Sequence, residues 1–229
     1  MCARFTLKTR AEALIDAFEL AEAPTDLVPR YNIAPTQPVA IIANLPGPRV
    51  VRRARWGLIP KWATDRRIAH RLVNARSETV AQKPSFREAF RARRCLVLAD
   101  GFYEWRNHGG GKMPMRVVLK DSAPFGMAGL WETWRDPAAP ADTPLVHTCT
   151  VLTTTPNALI APIHDRMPVI LPREAWATWL APGDPGEQAL LPLLSPYPAA
   201  LMAAYEVSPV VNSMRNDVPQ CIAPVLRLL

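Results

Sequence analysis

The residue types with the most distinctive chemistry stand at the start of the chain, in Met1-Cys2-Ala3-Arg4-Phe5. Methionine before a small residue is the usual substrate for removal of the initiator methionine, so we expect Cys2 to be the mature N-terminus. Its α-amine has an ordinary pKa of about 7.7–8.0 and its thiol one of about 8.5, so both are partly nucleophilic at neutral pH. Together they can condense with an aldehyde to an imine and then to a thiazolidine ring. The dipeptide alone is also consistent with a second residue that has no chemical role.

Three further polar residues stand where apolar ones are expected. Glu104 lies within the aromatic stretch 102–105, where burial would raise its pKa and make it a general acid or base, although strand alternation could instead turn it to solvent. His164 lies in a proline-bounded loop beside an aspartate and an arginine, which could orient its ring, although loop histidines are often plain surface residues. Asn74 follows a short apolar approach and could equally be a helix N-cap.

A basic stretch runs from Arg49 to Arg76 and contains nine basic residues, one acidic residue, Trp56 and Trp62. Residues 1–100 carry 18 Lys+Arg against 9 Asp+Glu, a net charge of +9, whereas residues 101–229 carry 9 against 11, a net charge of −2. Cations that neutralise phosphates, with aromatic side chains that stack on bases, are typical of a single-strand nucleic-acid groove. The alternative is a solvated basic face whose tryptophans belong to the core.

Composition excludes several classes of protein. No apolar run approaches the 18 residues of a membrane helix, and the charged residues near the N-terminus leave no apolar core for a secretory signal. The four cysteines are widely scattered without a C-x-x-C pair, which argues against a zinc site and a disulfide framework and for a reducing compartment. We therefore expect a cytoplasmic protein without metal or membrane partner.

The local patterns predict an α+β domain built on a mostly antiparallel, curved or barrel-like sheet with a few short helices. Capping boxes at Thr9 and Ser85 predict helices to about Leu20 and Arg91, and a third helix is expected over Pro172–Leu180. Residues 30–36 and 135–144 are expected to be loops. Strands are expected at Val39–Leu45, Arg49–Arg55, Cys95–Asp100, Met113–Leu119, Phe125–Glu132, Leu145–Thr153 and Leu201–Val207, and the strand Cys95–Asp100 is expected to continue after Gly101 as Phe102–Trp105.

Seven motifs in order resemble those of the SRAP family, the SOS-response-associated peptidase or abasic-site processing proteins. They are Met-Cys-x-Arg-Phe at the start, Arg-Tyr-Asn-Ile-Ala-Pro-Thr (30–36), Trp-Gly-Leu-Ile-Pro-Lys-Trp (56–62), Asn-Ala-Arg-Ser-Glu-Thr (74–79), Ala-Asp-Gly-Phe-Tyr-Glu-Trp (99–105), Ile-His-Asp-Arg-Met-Pro (163–168) and Val-Asn-Ser-Met-Arg-Asn-Asp (211–217). The resemblance implies a single SRAP domain over residues 1–229 that captures abasic sites in single-stranded DNA covalently. We expect the protein to act as a monomer and without a cofactor. In a bacterium it would act at the nucleoid.

The resemblance also implies roles for individual residues. The implied catalytic set is Cys2, Asn74, Glu104 and His164. Arg4, Arg76 and Arg166 are expected near phosphates, Trp62 beside the bases, and Asn32 and Pro35 also at the DNA. The sequence departs from the common pattern at Ala3, where many relatives have glycine, at Lys61, where some members have a second aromatic, and at Met167, where a second arginine is common.

The catalytic roles follow from the chemistry of a deoxyribose that has lost its base. It exists mainly as a closed hemiacetal, so Glu104 would move the protons of ring opening and imine formation. His164 would protonate the ring oxygen, and Asn74 would hold the Cys2 amine. Two rival functions remain at this point: an N-terminal-nucleophile amidohydrolase or peptidase that forms a thioester at Cys2, and a single-stranded DNA binding module without catalysis.

Overall fold

The structure is a computed structural model that describes residues 3–140 and 142–225. Met1 and the predicted nucleophile Cys2 lie outside the described residues, as do Ala141 and 226–229. The strands are β1 (Arg4–Leu7), β2 (Arg30–Ile33), β3 (Pro38–Ala43), β4 (Arg52–Trp56), β5 (Asn74–Arg76), β6 (Arg94–Ala99), β7 (Gly101–His108), β8 (Gly111–Leu119), β9 (Phe125–Trp134), β10 (Val146–Thr154), β11 (Met167–Pro168), β12 (Ile170–Leu171) and β13 (Met202–Glu206).

Helices in the described chain are short and lie between the strands. The α-helices are α1 (Ala11–Phe18), α2 (Arg87–Ala92), α3 (Trp176–Trp179) and α4 (Glu187–Leu190). The 3-10 helices are Arg66–Arg71, Ser77–Thr79, Arg173–Ala175, Leu191–Leu194, Ala199–Leu201, Pro209–Asn212 and Pro219–Ile222. None of these helices has the length and apolar character needed to cross a membrane.

Five strands close into a barrel. Going round it, β3 pairs with β4, β4 with β10, β10 with β9, β9 with β6, and β6 again with β3. Closure leaves each of these strands with partners on both sides, and apolar side chains such as Trp56, Cys95 and Cys149 are fully buried. Glycine is required at position 129 because β9 lies close to β6 there: a Cβ would come within 2.8 Å of Val97 Cγ2. The barrel is antiparallel except for the pairing of β10 with β4.

A second sheet, in the order β13-β8-β7-β1-β2, packs beside the barrel and is antiparallel throughout. Its fourth strand is β1, so the first described residues of the chain pair with β7 on one side and β2 on the other. Asp100, at the β6–β7 junction, holds β1 in place. Its buried carboxylate accepts hydrogen bonds from Thr6 Oγ1 at 2.6 Å, from the backbone amides of Lys8 and Thr9 at 2.6 and 2.8 Å, and from Arg116 at 3.2 Å.

Most of the predicted strands are confirmed, including the hairpins β3–β4 and β7–β8 and the strands β9, β10 and β13. The α+β, mostly antiparallel and barrel-like fold class is confirmed as well. These predictions succeeded because period-2 alternation and glycine- or proline-rich turns are local signals.

Four local predictions were wrong. Residues 30–33 form strand β2 rather than a loop, since they pair with β1 and donate backbone hydrogen bonds to Asp217. Thr9 does not cap α1, because its hydroxyl donates to Asp100 instead. Ser85 does not cap α2, whose N-cap is Phe86, and the helix expected over Pro172–Leu180 is divided into a 3-10 turn and α3.

The Asp100 network predicts a large loss of stability on truncation. Asp100→Ala leaves Arg116 buried without its carboxylate and removes an acceptor from the backbone amides of Lys8 and Thr9, in the turn after β1. We expect the free energy of unfolding in urea to fall by about 3–5 kcal/mol, as for removal of one partner of a buried pair. Asp16→Ala, at an exposed helical aspartate, is the matched control and should change it by less than about 1 kcal/mol. Equal effects of the two substitutions would contradict the assignment.

Candidate active site

A cavity of about 590 Å³ lies between the five-stranded sheet and strand β5, within the size range of small-ligand sites. It is formed by the ends of β1, β5, β7 and β8, by the loop after β10 and by the 3-10 helix Pro209–Asn212. The cavity contains the predicted residues Asn74, Glu104 and His164 together, with Arg4 at one wall and Ala3 at the point where the described chain begins.

Glu104 is the buried acid of this cavity. Its side chain is only 2% exposed, since the first half of β7 is covered on both faces. Burial raises the pKa of Glu104 from its ordinary value of 4.5 to about 7, and the positive charge of Lys112 opposes part of that rise. Its Oε1 is buried and accepts no hydrogen bond from the described residues. The solvent-facing alternative for Glu104 is thereby excluded, and the carboxyl can be either protonated or ionised near neutral pH.

His164 faces Glu104 from the loop between β10 and β11, with its Nε2 at 3.8 Å from Glu104 Oε2. The backbone amide of Arg166 donates to His164 Nδ1 at 3.0 Å, so in the neutral ring the proton is on Nε2 and points toward the cavity. Burial lowers the pKa of His164, which favours this neutral form at pH 7. When the ring takes a second proton, Asp165 Oδ1 lies 2.9 Å from Nδ1. The imidazole therefore has a partner in each protonation state.

Asn74 is placed by a strand pairing that the sequence did not predict. It opens β5, which runs parallel to β10 with Asn74 level with Val151 and Arg76 level with Thr153. This short strand extends the sheet beyond the barrel and turns the Asn74 side chain into the cavity. Asn74 is consequently a strand residue and not the helix N-cap that was the alternative.

Arg4 joins the start of the chain to its C-terminal motif. Its NH1 donates to Asn32 Oδ1 at 3.0 Å and to Val211 O at 2.8 Å, and its guanidinium lies over the Trp105 ring at 5.7 Å. Trp105 in turn donates from Nε1 to Asn212 Oδ1 at 2.8 Å. Arg4 thus builds one wall of the cavity, and much of its hydrogen-bonding capacity is used within the protein.

Trp105, Lys112 and Asn212 also line the cavity and were not singled out from the sequence. Trp105 and Asn212 lie inside two of the seven motifs, and Trp105 is next to Glu104, so the motifs themselves carried the signal. Lys112 lies in the β7–β8 hairpin and had no sequence signal of its own. Its position is set by the pairing of Asn107 with Lys112 across the hairpin.

Two residues expected at the DNA have their polar atoms bound within the protein. Asn32 is fully buried, and its amide nitrogen donates to the carbonyls of Val211, Ser213 and Asn216. Arg166 is 8% exposed and donates to both carboxylate oxygens of Glu78, at 2.5 and 3.0 Å, and to Thr153 O at 2.6 Å. Their contact with DNA stays a prediction, and in this structure both side chains hold neighbouring segments of the protein together.

The remaining DNA candidates are accessible. Trp62 is 59% exposed, Arg76 is exposed at the end of β5, and Pro35 is partly exposed. The basic residues of the stretch 49–76 are spread out rather than gathered at one point. Arg55 lies level with Thr148 and Arg76 level with Thr153, so they are about 17 Å apart along β10 at roughly 3.3 Å per residue. Four of the basic side chains are also paired with acids: Arg49 with Glu19, Arg53 with Asp26, Lys61 with Glu132 and Arg67 with Asp65.

No group of three or more His, Cys, Asp or Glu side chains that could hold a metal ion occurs within residues 3–140 and 142–225. The described cavity brings together the carboxyl of Glu104, the imidazole of His164 and the amide of Asn74. These groups can move protons and orient a nucleophile, which suits the addition of an amine to a carbonyl.

Comparison with known proteins gives a family match along most of the chain. Residues 1–214 match the family described as SOS response associated peptidase (SRAP). The abasic site processing protein YoqW of Bacillus subtilis is 44% identical over 225 residues, which cover 97% of this chain and 99% of that protein. The abasic site processing protein HMCES of Gallus gallus is 33% identical over 200 residues, covering 77% of this chain and 58% of that one.

Solved structures show the same fold. A crystal structure of a protein from Bacteroides thetaiotaomicron has a TM-score of 0.87 and 27% identity, covering 98% of this chain and all of that one. A second, from Bordetella bronchiseptica, has a TM-score of 0.77 and 31% identity, covering 90% of this chain and all of that one.

The buried carboxyl predicts a characteristic dependence of stability on pH. Because the pKa of Glu104 is raised on folding, the folded state binds this proton more tightly, and its contribution to stability is lost as pH rises from about 4.5 through about 7. Glu104→Gln removes that loss. We expect the difference in free energy of unfolding, wild type minus Glu104→Gln, to fall by about 2–3 kcal/mol between pH 5 and pH 8 in urea titrations.

Glu174→Gln, at an exposed carboxyl, provides the baseline for the same pH series. A difference between wild type and Glu104→Gln that tracks this baseline at every pH would show that Glu104 is not a desolvated acid.

Proposed function

The chain belongs to the SOS response associated peptidase (SRAP) family, and from that premise we propose that it detects abasic sites in single-stranded DNA and traps them covalently through the mature N-terminal Cys2. The proposal is supported by its relatives in Bacillus subtilis and Gallus gallus, which are named abasic site processing proteins. We further propose that the protein is a monomer and that it acts on DNA in the cytoplasm.

The observation that carries the proposal is the buried Glu104, with a pKa of about 7 and a histidine Nε2 at 3.8 Å, in the cavity that Ala3 lines. Cys2 is bonded to Ala3, and consecutive Cα atoms are about 3.8 Å apart. A mature N-terminal amine on Cys2 is therefore tethered within reach of Glu104, Asn74 and His164. An acid or base with a pKa near the working pH is the most effective proton carrier for the chemistry of an amine with an aldehyde.

In the first step the closed deoxyribose opens. The Glu104 carboxylate takes the proton of the anomeric hydroxyl, and the bond from the anomeric carbon to the ring oxygen breaks. The doubly protonated form of His164, with Asp165 beside Nδ1, gives its Nε2 proton to that oxygen. The product is the free aldehyde, a protonated Glu104 and a neutral His164, and proton exchange with solvent restores both starting states. The raised pKa of Glu104 makes both of its protonation states accessible at pH 7.

In the second step the Cys2 amine, held by the Asn74 side chain, adds to the aldehyde carbon. Glu104 supplies the proton with which the resulting hydroxyl leaves as water, giving an imine. The Cys2 thiolate then adds to the imine carbon and the imine nitrogen takes up a proton, which closes the thiazolidine. The balance is one aldehyde plus one aminothiol giving one thiazolidine and one water, with no oxidant or reductant.

Exposed aromatic and cationic side chains suit a single strand. Trp62 presents a large exposed ring to the base next to the gap, and Arg76 and Lys112 present exposed cations to phosphates. Single strands are favoured by this proposal because a flat aromatic ring can stack only on a base that is not already paired within a duplex. Asn32 and Arg166 contribute indirectly, by holding the motif 211–217 and the His164 loop in place.

Cys2→Ala is expected to abolish the stable adduct with an abasic single-stranded oligonucleotide, because both ring-closing atoms belong to the aminothiol and the thiol is lost. Intact-mass spectrometry is the measurement, and the unmodified protein should show the loss of Met1. Cys95→Ala is the matched control, since this thiol is fully buried in the barrel and should leave the adduct unaffected.

An adduct of wild-type yield and stability in Cys2→Ala would refute the thiazolidine mechanism. A thioester on Cys2 that forms with a peptide amide but no adduct with the abasic strand would instead establish the N-terminal-nucleophile peptidase. Non-covalent binding alone would establish a binding module.

Glu104→Gln is expected to slow crosslinking by roughly 10²-fold or more, the usual effect of losing a general acid or base, because glutamine keeps the shape of the side chain but cannot carry a proton. The wild-type rate should change with pH around a midpoint near 7, and this midpoint should vanish in the variant. Time courses on a closed-ring abasic strand measure both quantities. Glu174→Gln is the control, and a wild-type rate and pH profile in Glu104→Gln would overturn the assignment.

A further inference from the structure

A second cavity lies at one mouth of the barrel, at the end away from β5. Its volume is about 400 Å³, and its floor is formed by Ile41, Ala54 and Trp131 on three different barrel strands. It shares no lining residue with the candidate active site. On β10 its residue His147 is four positions before Val151, the partner of Asn74, which corresponds to about 13 Å along the strand. The proposed trapping of abasic sites makes no use of this cavity.

The indole ring of Trp131, which forms part of the cavity floor, is held in place by hydrogen bonds. Trp131 Nε1 donates to Asn44 Oδ1 at 3.0 Å, and the same oxygen accepts from the Arg94 amide at 2.9 Å. Asn44 is itself buried, and its amide nitrogen donates to Ala92 O. These hydrogen bonds hold one face of the indole at the cavity even when no ligand is bound. A ligand would therefore not have to order the Trp131 side chain on binding.

The rim of the barrel mouth is cationic. Arg52 and His147 are both exposed there, and the described residues provide no ion pair for Arg52. The neighbouring Arg53 is already bound to Asp26 at 2.9 Å. No carboxylate side chain is among the described residues that line the cavity. A guanidinium with unused donors above an apolar, aromatic floor is suited to a ligand with a flat ring and an anionic group.

We propose that the barrel mouth binds a small planar anion, with its ring against Trp131 and Ile41 and its charged group on Arg52 and His147. The mouth of a β-barrel is a common position for small-molecule sites, and this volume lies within their usual range. The chemistry is shared by two sources, a nucleoside monophosphate and an aromatic carboxylate, and the experiment distinguishes them.

The test uses the full-length protein and the probe 8-anilinonaphthalene-1-sulfonate, whose fluorescence rises when its rings enter an apolar site. We expect saturable binding that weakens about tenfold in Arg52→Gln, as for loss of a charge-assisted hydrogen bond, and further in Arg52→Gln/His147→Gln. The neutral analogue N-phenyl-1-naphthylamine should bind equally to all three proteins. Arg87→Gln, at an exposed arginine of α2, is the matched control.

A second variant tests occupancy of the cavity independently of charge. Ala43→Leu places a larger side chain at the edge of the floor and should also weaken the probe, with the unfolding temperature used to verify the fold. Competition then identifies the source: displacement by deoxyadenosine 5′-monophosphate indicates a nucleotide, and displacement by 2-naphthoate alone indicates an aromatic carboxylate. Failure of the probe to bind, or binding unchanged in Arg52→Gln and Ala43→Leu, would overturn the proposal.

Discussion

The position of the candidate active site depends on the pairing of β1 inside the five-stranded sheet. A first strand at the edge of a sheet could fray, but β1 has partners on both sides and its turn into α1 is bound by the buried Asp100. Arg4 extends this anchorage to the C-terminal motif, since it donates to the carbonyl of Val211, 207 positions later. The N-terminal segment is therefore held from several directions, and Ala3 leaves the sheet directly into the cavity. A reactive N-terminus needs such a fixed point, because a nucleophile is effective only when it is kept close to its acid and base.

Glu104 shows how the same packing supplies the acidity that the proposed chemistry needs. Its neighbours on β7 are aromatic, and both faces of the strand are covered, so the carboxyl loses most of its solvation. Ionising it costs stability above pH 7, which is consistent with an acid retained for function rather than for folding. His164 is tuned in the opposite sense, since burial favours its neutral form. Neighbouring groups whose pKa values are shifted in opposite directions by burial are common at functional sites.

The barrel separates the basic residues of the protein into two surfaces. Arg76 lies at the end of β5, whose first residue Asn74 lines the candidate active site. Arg52 and Arg53 lie at the barrel mouth, at the end of the barrel away from β5. Part of the positive charge in the stretch 49–76 is neutralised by nearby acids. The electrostatic potential at any one part of the surface is therefore less positive than the number of arginines in the sequence suggests. The two cavities therefore differ in chemistry. The candidate active site is built around the buried acid Glu104, and the barrel mouth has exposed cations over an aromatic floor.

The fold class, most strands and the family could be predicted from the sequence alone, and its motifs singled out Asn74, Glu104 and His164, which the structure brings into one cavity. These depend on local alternation, on turn residues and on short ordered motifs, which can be read without knowing what packs against what. Only the tertiary structure decided that Glu104 is buried, that residues 30–33 form a strand, that Asn32 and Arg166 are enclosed, and that the barrel closes with a second cavity at its mouth. Each of these depends on partners far away in the chain, such as Asp217 for β2 and Glu78 for Arg166. Burial and hydrogen bonding are properties of a residue's surroundings, and those surroundings are assembled only when distant segments meet.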